Sequence, residues 1–385
     1  MNSCDFPPLH TLLDQPADVL AAVTHADPYP YYDSLAARPG LQRDAKLGLW
    51  IAASAASVRA VLNHPDCLVR PPAEPVPAAI AGGTAGQVFG ALVRMNEGAR
   101  HEQPKLALQR ALAGLPLAQA EECTARLARE LWRGDDALAE WMLALPVSVV
   151  ASLMGFPAAQ LPQVAAWLGD FVACLSPLSS AQQIAQAHVA AQALLERLAE
   201  LVLQAQQGAQ PDSLIARVAA EAQAVGWNDS TALLANLAGL LSQTYEATAG
   251  LIGNSIIALV RQPEEERSEP DDADTLVHTV QRCDPPVQNT RRFVARDCMV
   301  DGVALKSGDV VLLVLAAAAR DPDADVHAFG FGGGRHACPG EALATTIAAS
   351  ALEMLMAGPL SSPESLQALR WTYRRSLNAR IPVFA

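Results

Sequence analysis

From Asp229 onward the chain carries an unbroken helical pattern to about Arg261. It opens on Trp227-Asn228-Asp229-Ser230, a cluster of side chains that accept hydrogen bonds from the first free N–H groups of a helix. At 1.5 Å per residue such a helix is ~50 Å long, and one this apolar has to cross the middle of a domain. Around it the sequence is rich in further helix. Residues 117–207 read as successive Ala/Leu-rich helices, because Leu, Ala, Glu and Gln are strong helix formers. Breaks fall at Gly134, at Gly155-Phe156-Pro157 and at Ser176-Pro177. Helix resumes after Cys338 and runs to about Met356.

Strand signals are few and short. Gly48-Leu49-Trp50-Ile51-Ala52-Ala53 reads as a strand before a helix at Ser57-Val58-Arg59-Ala60-Val61-Leu62, and Asp27-Pro28-Tyr29-Pro30 opens a short helix on preset proline φ angles. Residues 294–314 alternate and contain the turn signals Asp301-Gly302 and Ser307-Gly308; residues 376–383 read as a hairpin end. Four prolines within residues 71–77 exclude regular helix, and a Gly/Ala-rich loop is expected from there to about Gly90. With no fixed-period repeat and no shift in composition, one domain over 1–385 is expected, mainly α with a small β lobe.

A net charge of -13 argues against nucleic acid as a partner, since phosphate binding needs a positive surface. Seven scattered cysteines, an odd number without a CxxC pair, suggest neither a disulfide framework nor a zinc site, so a reducing cytoplasm is the default. The first residues lack a basic start and an apolar stretch, and the most apolar run, 232–241, is too short to span a bilayer. A soluble protein with no membrane partner is expected.

The chemistry is announced by Phe331-Gly332-Gly333-Gly334-Arg335-His336-Ala337-Cys338-Pro339-Gly340. Four glycines in ten residues serve backbone freedom and close approach to a ligand rather than packing. A cysteine directly before a helix gains from its dipole and free N–H groups, which favours the thiolate and metal ligation. Six of ten positions fixed make Phe-Gly-x-Gly-x-His-x-Cys-x-Gly specific. The segment resembles the heme-binding loop of the cytochrome P450 family, the heme-thiolate monooxygenases. The resemblance extends from Tyr29 to the C-terminus and implies a triangular prism with a long central helix, holding heme b (iron protoporphyrin IX).

By that resemblance Cys338 is the proximal iron ligand, whose thiolate pushes electron density onto iron and favours O–O cleavage. Phe331 packs under the macrocycle, with Gly332 and Gly340 in the bend, and His336 reaches a propionate. His101-Glu102-Gln103-Pro104-Lys105 is similar to the family's His-x-x-x-Arg, with Lys for Arg; residues four apart share a helix face, so His101 and Lys105 are both expected at the propionates. Arg292 matches the strand arginine that contacts the other propionate, with Arg291 as its rival. On the long helix Glu246 falls on the family's proton-feeding acid; a carboxylate in an apolar mid-helix is costly unless it works or is paired. Val287, Asn289, Leu377 and Asn378 fall on segments that line the family's distal pocket. Their amides and few charges imply a largely apolar small-molecule substrate with some polar groups.

The chain departs from the family in three places. Ala247 occupies the position of the threonine that assists oxygen activation, and Thr244 or Thr248, one turn apart on an adjacent face, is the expected substitute, alongside a substrate hydroxyl with water. Thr279 stands where Glu-x-x-Arg has its glutamate, before Arg282. The meander arginine after Arg320-Asp321-Pro322 has no counterpart. An unpaired buried Arg282 would cost roughly 3–5 kcal/mol, so Arg282 is expected to find other partners: backbone carbonyls, the Thr279 hydroxyl or an aspartate among Asp321, Asp323 and Asp325.

The resemblance implies a bacterial-type monooxygenase that uses O2 and two electrons from a ferredoxin and ferredoxin reductase, and the departures from the family's motifs suggest specialised metabolism. Arg110 and Arg335 are expected to steer an acidic carrier to the Cys338 face. The alternative is a P450-like heme-binding protein with lost or non-standard oxygen activation: peroxide-driven, rearranging or recruiting.

Overall fold

The computed structural model describes residues 14–176, 179–322, 324 and 329–385. The long helix runs over Ser230–Arg261, and the Asp229 side chain accepts from Ala232 N at 2.9 Å, as the capping chemistry requires. Of its residues, 249–259 are buried without interruption, because other helices surround it. Against it pack Leu138–Met154, Ala273–Cys283 and the helix that follows the cysteine loop, Glu341–Met356. Gly253 is where the C-terminal segment meets the helix: a Cβ there would lie 2.5 Å from Pro382 Cγ.

Asp135–Met154 is the one stretch, among the described residues, long and apolar enough to cross a membrane. It is 67% buried inside the protein, as a core helix is.

Among the described residues nine strands form three small sheets: β1 Gln42–Asp44, β2 Leu49–Ala52, β3 Cys67–Leu68, β4 Thr290–Val294, β5 Cys298–Val300, β6 Val303–Leu305, β7 Val310–Leu313, β8 Trp371–Tyr373 and β9 Pro382–Phe384. The largest has the order β1-β2-β7-β4-β3, and only its β2–β7 pair is parallel. Val58, Val61, Val294 and Val311 fill one face, and Tyr32, Leu35, Ile51 and Leu312 the other. The sheet is thus buried on both sides, which explains apolar runs where alternation would mark a solvent face.

Two expectations need correction. The Gly/Ala-rich stretch before Gly90 is not all loop: Thr84–Ala91 is helical. His188 Nδ1 of the helix Ala181–Gln206 accepts from Ala85 N at 3.1 Å at its start, so tertiary packing overrides weak local propensity. The cysteines are not uniformly free either, because Cys283 is disulfide-bonded.

Candidate functional site

The loop before Glu341–Met356 turns on Gly332 (φ +75) and Gly334 (φ +62), conformations that cost a side-chain-bearing residue strain. Gly332 N donates to Phe329 O at 2.8 Å and Cys338 N to Phe331 O at 2.9 Å, so the bend closes on itself and presents the sulfur. Among the described residues, the one N–H contact to Sγ is from Gly340 N, at 3.4 Å. The Cys338 side chain is accessible to water, yet surrounding protein pushes its thiol pKa up. An accessible but desolvated group faces an enclosed space. The helix-dipole expectation is corrected on this point: burial outweighs the Gly340 N–H, Lys105 and Arg94, so the thiolate needs a cation at sulfur.

Cations gather beside this loop. His101 and His336 stack at 4.3 Å between ring centroids. Burial, then the charges of His336 and Lys105, lowers the His101 pKa to about 4. Arg292, on β4, is 5% exposed and faces inward, whereas its neighbour Arg291 is only half-buried; alternation along a strand thus favours Arg292 over its rival. His101 Nε2 and Arg292 Nε are both buried with no hydrogen-bond partner. Orphaned donors at the rim of an enclosed space lined by a thiol fit an amphiphilic dianion such as a porphyrin with two propionates. Lys105 is placed differently from the expectation: its ammonium donates to Ala337 O and so braces the cysteine loop.

Sequence reasoning missed Glu97. Its carboxylate lies 2.8 Å from Arg335 Nε and 3.1 Å from His336 Nε2. Arg335 also donates to Cys67 O at 3.1 Å and His64 O at 3.3 Å, so it is a strut of the loop and not a free surface cation. Despite burial, the hydrogen bonds from His336 and Arg335 hold the Glu97 carboxyl down at about 2, against an ordinary 4.5. A depressed carboxyl stabilises the fold fully above its ordinary pKa and loses that contribution as pH falls through its folded value. We therefore expect Glu97→Gln to lower stability by about 2–3 kcal/mol at neutral pH. Between about pH 5 and pH 3 the variant should lose less stability than the wild type, measured by urea unfolding at each pH.

Glu246, on the long helix, is 3.0 Å from Arg374 Nη1. Burial raises its carboxyl pKa, against the opposing charges of Arg374 and Arg94. The threonines do not join it. Thr244 Oγ1 donates to Leu240 O at 2.8 Å, within its own helix, and the side chain lines a small cavity with Leu112, Leu343, Ala344 and Ile347. Thr248 is 2% exposed. The Thr244 hydroxyl proton is thus committed to its own helix, which leaves the oxygen's lone pairs to accept.

The four pocket positions come together, but mostly bind one another. Val287 bridges Ala379, Gln288 N donates to Asn378 O at 2.8 Å, and Asn289 Nδ2 donates to Leu377 O at 2.9 Å. Asn289 is 2% exposed, so its amide holds the C-terminal turn instead of being offered to a ligand. Arg282 is half-buried and partnered, as expected. Thr279 is not the replacement for the missing glutamate, because its Oγ1 donates to Thr275 O at 2.9 Å. Asp321 Oδ2 accepts from Ala55 N at 2.8 Å, and Asp323 and Asp325 lie outside the described residues.

No family model matches the chain. In sequence it is similar to Cytochrome P450 144 of Mycobacterium tuberculosis, 27% identical over 385 residues that cover 92% of this chain and 88% of that protein. In fold it is similar to the crystal structure of CalO2, with a TM-score of 0.78 at 22% identity over 97% of this chain and 98% of that one. It is similar as well to P450BioI in complex with hexadec-9Z-enoic acid ligated acyl carrier protein, with a TM-score of 0.74 at 22% identity over 93% and 97% of the two chains.

Proposed function

We propose that the chain is a single-domain heme-thiolate monooxygenase of the cytochrome P450 type, similar in sequence and fold to the proteins above, that oxidises a small molecule held between Cys338 and the middle of the long helix. The observation that carries this reading is the accessible yet desolvated Cys338 thiol, with the orphaned donors of His101 and Arg292 beside it. Heme b, when bound, supplies the redox chemistry that splits O2 and inserts an oxygen atom. Cys338 would hold its iron, Phe331 with Gly332 and Gly340 its proximal face, and His101, Arg292 and His336 its propionates. Lys105 and Arg335 keep the cysteine loop in place from behind, through Ala337 O and Cys67 O.

Glu246 has the position and the raised carboxyl pKa of a group that passes protons inward along the long helix. The redox partner in this reading is a ferredoxin with its reductase, in the cytoplasm, and the setting is specialised metabolism. With Arg335 fixed by Glu97, steering of an acidic carrier falls to Arg110, whose one ion pair among the described residues is a loose one of 3.8 Å to Glu221.

A second reading, non-standard oxygen activation, is favoured by Ala247 together with the committed hydroxyl proton of Thr244. Purified holoprotein given a substrate screen with O2 and a surrogate ferredoxin pair, with peroxide alone, and with neither separates the two. Product in the first arm supports the monooxygenase; product only with peroxide supports the second reading; binding without product in any arm sinks both.

A further inference from the structure

The loop that presents Cys338 is held in its middle by Lys105, Arg335 and Glu97, through Ala337 O, Cys67 O and His336. Those contacts leave both of its ends to other residues. The entry is strained: Phe329 has φ +42, a left-handed conformation that a phenylalanine keeps only where its surroundings enforce it. Phe329 is buried, with the Arg59 guanidinium 5.6 Å from its ring centre. The next residue, Gly330, comes so close to the helix Ala273–Cys283 that a Cβ there would stand 2.6 Å from Gln281 O. The exit of the loop runs into Glu341–Met356. In the second turn of that helix Thr345 Oγ1 accepts from Gln281 Nε2 at 2.6 Å. Both side chains are buried, at 8% exposure for Gln281 and 5% for Thr345.

One residue thus touches the chain on both sides of the sulfur, its carbonyl against Gly330 and its amide on Thr345. Gln281 can serve as a fixed point because the residues after it are anchored. Cys283 is fully buried and disulfide-bonded. Asp284 lies 3.0 Å from Arg380, and its carbonyl accepts from Asn254 of the long helix at 2.9 Å. A hydrogen bond also constrains direction, which apolar packing between the two helices does not.

Resting on the reading above, we infer that Gln281 is a positioning residue for the iron-ligating sulfur. Its carbonyl and its amide clamp the two ends of the Cys338 loop, and with Thr345 it supplies support that the missing glutamate at position 279 leaves open. Thr279 itself spends its hydroxyl on Thr275 O. A neutral amide suits the task better than a carboxylate, because it bonds without burying a charge.

The test compares four holoproteins with the wild type: Gln281→Leu, Thr345→Val, Thr345→Ser and the double variant Gln281→Leu/Thr345→Val. Heme transfer to excess apomyoglobin, the thiolate share of the reduced carbon-monoxide spectrum and urea unfolding are read on each. Either single loss of the bond should speed heme release roughly 10-fold and lower the thiolate share, whereas Thr345→Ser, which keeps the hydroxyl, should match the wild type. In the double variant neither partner is left unpaired, so unfolding returns toward the wild type. The clamp is still missing there, and heme release should stay fast. Recovery of heme retention together with stability overturns the inference, because the bond would then be merely structural. Wild-type release and spectrum in both single variants overturn it as well. Should Gln281→Leu fail to fold, Thr345→Val read against Thr345→Ser decides: faster release in the first alone supports the clamp, and equal release overturns it. A wild type that takes up no heme sinks the underlying reading instead.

Discussion

Cys338→Ser is expected to remove the thiolate signature from the carbon-monoxide spectrum of the reduced protein and to bring O2-dependent turnover down to background. Serine keeps the size of the side chain, but its hydroxyl gives no soft anionic ligand, and no other described free cysteine can take over. Cys67 lies buried on β3, and burial raises its pKa to about 12; Cys174 is buried as well, its pKa raised to about 11. Cys123 lies on the helix Leu117–Leu131, and Cys298 on β5. Stability should change little, since Sγ receives only the 3.4 Å contact from Gly340 N while the loop is closed by backbone bonds and by Lys105, Arg335 and Glu97. Thermal unfolding beside the spectrum separates the two effects. A variant that folds, takes up heme and still shows the thiolate-type spectrum would end the assignment of this sulfur.

What could be read from the sequence is what local chemistry decides. Asp229 announces the long helix because a cap acts over three residues, and Gly332 and Gly334 announce the bend because only glycine enters left-handed backbone without strain. Contacts across the chain were not legible in this way. Nothing in Asn96-Glu97-Gly98 says that Glu97 will meet Arg335 and His336, some 240 positions on. Asn289 read as a free amide because the carbonyl that takes it belongs to Leu377, 88 positions away. Thr244 was plausible by helical phase, yet a threonine hydroxyl in a helix can bond back to the carbonyl four residues earlier, and here it does.

The same blindness hid a fully buried polar cluster around Arg380, and it sets the largest stability effect we expect. Arg380 is fully buried, its Nε 3.0 Å from Asp284 Oδ1. Its other nitrogens donate to His25 O at 2.5 Å and Ala26 O at 3.0 Å, and its guanidinium lies 3.6 Å from the centre of the Tyr373 ring. Tyr29 OH donates to the same aspartate. Three distant segments therefore meet on one carboxylate. Asp284→Ala leaves the guanidinium buried without its counterion, which costs on the order of 3–5 kcal/mol. Tyr29→Phe, which removes one hydrogen bond, should cost about 1 kcal/mol. Replacing Asp284 and Arg380 together by Leu and Met should recover much of the single-variant loss, since the desolvation cost of both ions disappears with them. Urea unfolding of the four proteins checks this order, and a single-variant cost near that of Tyr29→Phe would show that the cluster does not hold the fold.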